Sequence, residues 1–467
     1  MYDAYPYLYM QLSKKAEYIS APDWFYNVEY AKEKDRGYDC LEDLFVPGFF
    51  EFEIKKGESV YLSLSLSEEA TEKLKTDFAA EIKKRTPRTN FENCLINSAN
   101  QFFVRKPTGT ELIAGYPWFS KRLRNTLAAL PGLTLQSNNK TDFKKTLDTI
   151  TADLKAYYTE GQPLKFQDAC FADSKLWYAF TLQHYLHFSS EEEVYKKYLP
   201  VLKLILNKFK TNSCPNIHMA ENGLIHADST GHPLTWMDTI SNNMPVTKRP
   251  GYVVEVNALW YNAIAFAVNL SEKFGDTKFV STWKPIEEQV KNSFIEVFTD
   301  ENHKGLADFV YQNHKDFTIR PNQIIAASLE FSPLNIYQCN DLLEEVKQNL
   351  LTDKGLRTLP PNHLNYHGNC AGSASDKEQA YHQGTAWPWL SGHFAAAYLK
   401  IHGKGGLSFV RTMYAKFEEE MKLHGIGTIS EMFDADPPHK GRGAISYAWS
   451  VAEILRIKFL ADNLEKQ

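Results

Sequence analysis

Between Gly427 and Ser450 the chain carries three carboxyls, Glu431, Asp434 and Asp436, among glycines and prolines. Turn formers at that density bar a regular element. The stretch feeds into an apolar pattern that opens Tyr447-Ala448-Trp449-Ser450-Val451-Ala452. Carboxylates on irregular backbone at a helix start are well placed to meet a ligand. The plainer reading is a Pro-rich surface loop with solvated acids. A second acidic site weighs against it. In Leu234-Thr235-Trp236-Met237-Asp238-Thr239, Trp236 offers an apolar wall beside Asp238. A carboxyl against an aromatic wall tends to a raised pKa, as a general acid requires. The alternative is an Asp capping a short turn with Trp236 in the core, and Asp228 stands close enough to compete for the role.

Two carboxyls flanking a bound sugar are the minimum equipment for glycoside hydrolysis. One protonates the leaving oxygen; the other attacks or activates water. Asp238 and Glu431 are the candidate pair. Two further stretches supply candidate binding groups. One is Tyr116, Pro117 and Trp118, shortly before Arg124 and Asn125. The other is Tyr381-His382-Gln383-Gly384-Thr385-Ala386-Trp387-Pro388-Trp389. Hydroxyl-rich ligands need many donors and acceptors together with flat aromatic surfaces. Any single Trp is more often core than platform. His382 has no partner at metal-site spacing and reads as a hydrogen-bonding residue.

Other chemistries lack their marks. Gly425-Ile426-Gly427 lacks the third glycine and the preceding strand of a dinucleotide site. No phosphate-binding glycine loop, nucleophile elbow or HExxH pair occurs. With 52 basic against 57 acidic side chains, the net charge of −5 argues against nucleic acid or an anionic membrane as partner. The longest apolar stretch, Ala258–Leu270, is too short to span a bilayer and contains Asn262 and Asn269. Cys40, Cys94, Cys170, Cys214, Cys339 and Cys370 are scattered without metal or redox spacing. Reduced, mostly buried thiols in a cytoplasmic setting are expected, and the opening residues show no signal peptide.

The elements that hold these groups change character along the chain. Residues 1–66 read as a β-rich segment, with strand-like alternation at Tyr18-Ile19, 49–54 and 60–66 and turns at Pro47-Gly48 and Lys56-Gly57. Too small for a domain alone, it must pack on the helical part or be the tail of a larger β sheet. From Ser67 to Gln467 the period is helical. Expected helices lie near 67–85, 90–105, 121–130, 141–158, 172–188, 191–210, 255–275, 281–298, 321–331, 336–352, 383–402, 406–424 and 447–464. Short links at 189–190, 276–280, 332–335 and 403–405 alternate with long ones at 211–254, 299–320, 353–382 and 425–446. Helices joined by tight links run antiparallel, so every long connection emerges at one end. The expected fold is mainly α: an α/α toroid crowned by loops, with a plain helical bundle or solenoid as the competing picture, for which no repeat of fixed period speaks.

The blocks AGYPWF (114–119), ALPGL (129–133), LTWMDT (234–239), PVTKRPG (245–251), EVNALWYN (255–262), YHQGTAWPWL (381–390), ISEMFDADPPH (429–439) and AWSVAEILR (448–456) resemble, in order, the C-terminal amylo-α-1,6-glucosidase part of glycogen debranching enzymes. The resemblance covers residues 90–465. It implies a glucoamylase-like (α/α)6 toroid behind the remnant of a β-sandwich domain. It implies hydrolysis with inversion, Asp238 as acid and Glu431 as base, and no metal or organic cofactor. The implied substrate is the α-1,6-linked glucose stub of glycogen or a branched malto-oligosaccharide. Tyr116, Trp118, Arg124, Asn125, Trp236, Lys248, Arg249, His382, Gln383, Trp387 and Trp389 are the implied substrate-binding groups. One departure stands out: the family pattern Trp-Gly-Arg-Asp-Thr is replaced by Arg122-Leu123-Arg124-Asn125-Thr126. Asn125 therefore cannot act as a charged acceptor for sugar hydroxyls.

Overall fold

The computed structural model describes residues 4–164, 166–211, 216–228 and 231–467. Cys214 lies outside them. The chain divides into two compact units, Met1–Arg88 and Thr89–Gln467.

The first unit is built on a long hairpin, Glu17–Glu29 against Leu41–Glu51. Tyr9–Leu12 pairs with Leu62–Ser65, and a helix follows at Leu74–Lys84. The strand around Tyr18 is far longer than the sequence discloses. The register shifts between Ser20 and Asp23 and again between Phe25 and Val28, and each shift breaks the two-residue alternation that marks a strand.

The second unit is mostly helical with small sheets. Six helices are apolar on nearly every side, which places them inside: α1 Leu123–Leu135, α2 Trp177–Tyr185, α3 Val254–Lys273, α4 Gln323–Ser328, α5 Trp389–His402 and α6 Ala448–Lys466. All residues of α1 are buried. Their packing is cyclic: α1 lies on α2, α2 on α3, α3 on α4, α4 on α5, α5 on α6, and α6 on α1. Lys140–Glu160, Thr277–Phe298 and Ile336–Leu350 each bury one stripe, as in Cys339, Leu342, Leu343, Val346 and Leu350 of the last. Lys140–Glu160 packs on α1, Thr277–Phe298 on α3, and Ile336–Leu350 on α4 and α5.

The sequence places the end of α1 at residue 130, before Pro131-Gly132, yet the helix continues to Leu135. Pro131 has no N–H for the Leu127 carbonyl four residues back; the Thr181 hydroxyl donates to that carbonyl instead, at 2.6 Å. Gly132 serves the α1–α6 contact. A Cβ there would stand 2.0 Å from the Ala452 carbonyl oxygen, so only glycine permits the approach.

The long connections are not bare loops. Two five-stranded sheets form from very short strands. One runs His314–Asp316, Phe309–Tyr311, Gly251–Val253, Ile225–Ala227, Ile217–Met219; the other Leu351–Thr352, Gly355–Arg357, Ala386–Trp387, Met432–Phe433, Gly441–Arg442. The helix expected from 383 therefore starts only at Trp389, and Ala374–Tyr381 is a helix of its own. Of the described cysteines, all free, Cys339 and Cys370 are buried, Cys40 and Cys94 are intermediate and Cys170 is exposed. Burial of most thiols was too strong an expectation. No helix of the described residues is long and apolar enough to cross a membrane.

Candidate active site

The second sheet sets the site. Ala386 pairs with Phe433 across antiparallel strands, which brings the segment after Tyr381 alongside Glu431. The Tyr381 hydroxyl donates a short hydrogen bond to Glu431 Oε1. Glu431 Oε2 accepts from the Ala444 N–H at 2.8 Å. The turn through Gly443 makes room: a Cβ there would lie 2.3 Å from Oε2, and its φ is +66°. A further two-stranded pair, Ser446-Tyr447 with Gly115-Tyr116, brings Tyr447 to the same place.

Glu431 is buried, and desolvation pushes its carboxyl up to about 7 against the pull of Tyr381, the Ala444 N–H and the nearby Arg122 charge. Asp238 is also raised, first by desolvation, against the pull of Arg124 and Arg122. Its side chain keeps 24% of its surface open. Arg124 Nη1 lies 3.9 Å and Arg122 Nη1 4.0 Å from Asp238 Oδ2. Glu431 feels the charge of Asp238, and Tyr381 and Tyr447 feel both carboxyls. The two acids, almost two hundred residues apart in the chain, thus share one site.

The surrounding groups divide into two sets. Arg124 is buried and held at two points by Asp173, Nε to Oδ2 at 2.7 Å and Nη2 to Oδ1 at 2.9 Å. Asn125 donates its amide to the Tyr447 hydroxyl at 2.7 Å. Asp168 accepts from the Leu123 and Arg124 backbone N–H groups and so caps α1. The loop of Asp238 is tied to the segment after Tyr381 through Thr239 Oγ1 and His382 Nδ1, 2.9 Å apart. Arg320 donates to the His382 carbonyl and to Gln383 Oε1. Burial, with Arg320, Arg124 and Arg249 nearby, keeps the His382 imidazole neutral.

Trp236, Trp387 and Trp389 form an edge-to-face cluster, with Trp236 centroids 5.4 and 5.0 Å from the other two. All three are buried, and Trp236 donates to Asn322. Arg249 sits further back. Its fork is taken by Glu255 (2.5 and 2.6 Å) and Asp308 (2.6 and 2.9 Å), with Thr235 at 3.4 Å. Asp308 accepts in turn from Asn322. This buried network carries the loop that holds Trp236 and Asp238. Lys248 is exposed. Tyr116 donates to the Gln101 carbonyl and is 36% exposed, and Trp118 is 47% exposed.

The other acids have separate posts. Asp434 is clasped by Arg442 and the Cys370 N–H. Asp436 accepts from Tyr366. Asp228 is exposed, next to the end of the strand Ile225–Ala227. Sequence reasoning quoted Arg122, Tyr381 and Tyr447 without assigning them a part, and it passed over Asp168 and Asp173. Only the position of Tyr381 and Tyr447 beside quoted motifs signalled them.

Buried carboxyls with raised pKa values under cationic and aromatic neighbours are the equipment of a glycoside hydrolase. The family profile described as "Amylo-alpha-1,6-glucosidase" matches residues 97–456, and the chain belongs to that family. A second profile, "Glycogen debranching enzyme N terminal", matches residues 1–61. The "Glycogen debranching enzyme" of Saccharomyces cerevisiae (strain ATCC 204508 / S288c) is similar, 28% identical over 226 residues, which is 39% of this chain and 14% of that protein. The match thus spans only a small part of the curated relative.

Proposed function

We propose that the protein is an inverting exo-glucosidase that releases glucose from α-1,6-linked stubs at trimmed branches of glycogen or limit dextrin. Asp238 donates the proton to the glycosidic oxygen, and Glu431 takes one from the attacking water. The observation that carries this is the contrast between the two carboxyls. Asp238 is partly open beside cations, while Glu431 is enclosed and aimed by a phenol and a backbone N–H. Among the described residues they share neighbours, Arg122, Tyr381 and Tyr447, without bonding to each other. Inverting enzymes keep about 6.5–9.5 Å between the carboxyls to admit water. Arg124 and Asn125 at the start of α1, with Trp236, His382, Gln383, Trp387 and Trp389 behind, set the pocket; Tyr116, Trp118 and Lys248 face outward towards the rest of the glucan. The (α/α)6 toroid is supported by the cyclic packing of the six inner helices. A cytoplasmic setting is supported by the free described thiols.

Incubation with branched limit dextrin, with the released sugar followed by NMR, tests the reading. β-Glucose is expected first. Initial α-glucose would overturn inversion, and faster cleavage of maltotriose than of panose would overturn the linkage.

A base must be ionised, so kcat/KM is expected to fall as pH drops through about 7, where Glu431 titrates. Tyr381→Phe removes a donor that favours the carboxylate. The acidic limb of the profile should move upward by about 1–2 pH units, the worth of one charge-assisted hydrogen bond. An unmoved limb would separate Glu431 from the base role.

A further inference from the structure

Arg122 immediately precedes α1 with an extended backbone, φ −129° and ψ 139°. Arg124 follows in the first turn. Two cations at the positive end of a helix dipole run against local electrostatics, and such breaches mark places where another demand prevails. For Arg124 that demand is met within the chain, because Asp173 occupies its fork.

Arg122 is different. Among the described residues its guanidinium makes no hydrogen bond, and its Nε is buried without a partner. Its ion-pair contact, Nη1 to Asp238 Oδ2, is 4.0 Å, too long for a hydrogen bond. The group lies over the Phe119 ring, 4.8 Å from the centroid, and its side chain is 25% exposed. Its charge reaches Asp238, Glu431 and Tyr447 alike. The Nη donors of its fork therefore stand beside Asp238 without a hydrogen bond, while Arg124 gives Nε and Nη2 to Asp173 and keeps only Nη1 towards Asp238, and Asn125 gives its amide to Tyr447.

We propose that Arg122 is a specificity-determining residue, donating through its guanidinium to hydroxyl oxygens of the terminal glucose while Phe119 holds the fork flat. This rests on the glucosidase reading above. Charge favours a neutral sugar over a phosphorylated or acidic one, because Arg122 already faces Asp238 and feels Glu431, and Arg124 is paired with Asp173.

The test uses methyl α-isomaltoside and its four forms lacking one hydroxyl, at C2, C3, C4 or C6 of the terminal glucose. Wild-type turnover of the parent compound tests the glucosidase reading by itself. For Arg122, kcat/KM is compared across the five compounds in wild type, Arg122→Leu and Arg122→Lys. The Leu variant should lose about 10–100-fold on the parent, chiefly in KM, as expected for a lost charge-assisted hydrogen bond. Its penalty for at least one deoxy compound should shrink to within about 2-fold, because the hydroxyl and its donor are then both gone. The Lys variant keeps the charge without the fork and should stay short of wild type. Equal loss on all five compounds, or a shifted pH profile with unchanged KM, would overturn the proposal. If wild type does not turn over the parent, the glucosidase reading fails, and calorimetric binding of the same five compounds decides Arg122 by the same coupling. Since the Arg122 guanidinium makes no hydrogen bond among the described residues, both variants should stay close to the wild-type melting temperature; collapse of both would also overturn the proposal.

Discussion

Glu431→Gln is expected to lower kcat on branched dextrin by about 10²–10⁴-fold or more, with KM little changed, because the substitution removes proton acceptance while keeping shape. Gln can still accept from the Tyr381 hydroxyl, so the pocket should persist. Asp238→Asn is expected to fall as far on the same substrate, since an amide cannot give up a proton to the glycosidic oxygen. The two variants part on α-glucosyl fluoride. Fluoride leaves without protonation, so the Asn variant should recover to within roughly 10-fold of wild type, while the Gln variant still lacks a base for the attacking water. Equal crippling on both substrates would refute the division of labour between the two carboxyls. Glucose release and fluoride release read the two cases directly.

The largest effect on stability is expected at Arg249. Its guanidinium is buried between Glu255 and Asp308. Arg249→Met leaves two carboxylates without their cation in a dry interior, where breaking a buried ion pair costs about 3–5 kcal/mol. Burial already raises the Glu255 carboxyl, with Arg249 as the leading opposing influence. The urea midpoint should fall accordingly. Activity should fall with it, because Asp308 holds Asn322 and Asn322 holds Trp236. The double variant Arg249→Met with Glu255→Leu should recover part of the loss by removing one orphaned charge. An unchanged midpoint in the single variant would show that the network does not support the fold.

These two expectations differ in how far the chain alone discloses them. Asp238 and Glu431 are visible because each sits in a stretch too rich in turn formers for a regular element, beside aromatic residues. The helical period and the alternation of short and long links are visible because burial on one side imposes its spacing on the sequence. The partners of those acids are not. Tyr381 reaches Glu431 through a strand pairing set by two-residue strands, too short to leave a period of their own. Arg249 stands in a motif rich in polar residues and reads as a sugar ligand, yet Glu255 in the first turn of α3 and Asp308, just before the strand Phe309–Tyr311, claim its donors. The continuation of α1 past Pro131 depends on a hydroxyl from Thr181 that no local rule anticipates. Long-range choices of this kind are made by packing.

The contact between α1 and α6 carries a consequence for how the molecule comes into being. Asn125 and Tyr447 are joined across 322 positions of chain, and Gly132 meets Ala452 close by. Contacts between such distant positions demand a costly loop closure and form late. During synthesis α1 leaves the ribosome hundreds of residues before its partner exists, and its most tightly fitted face waits uncovered until α6 emerges. Competence for chemistry is therefore acquired only after α6 has been made, and the nascent chain depends on its other neighbours to shelter that apolar face in the interval.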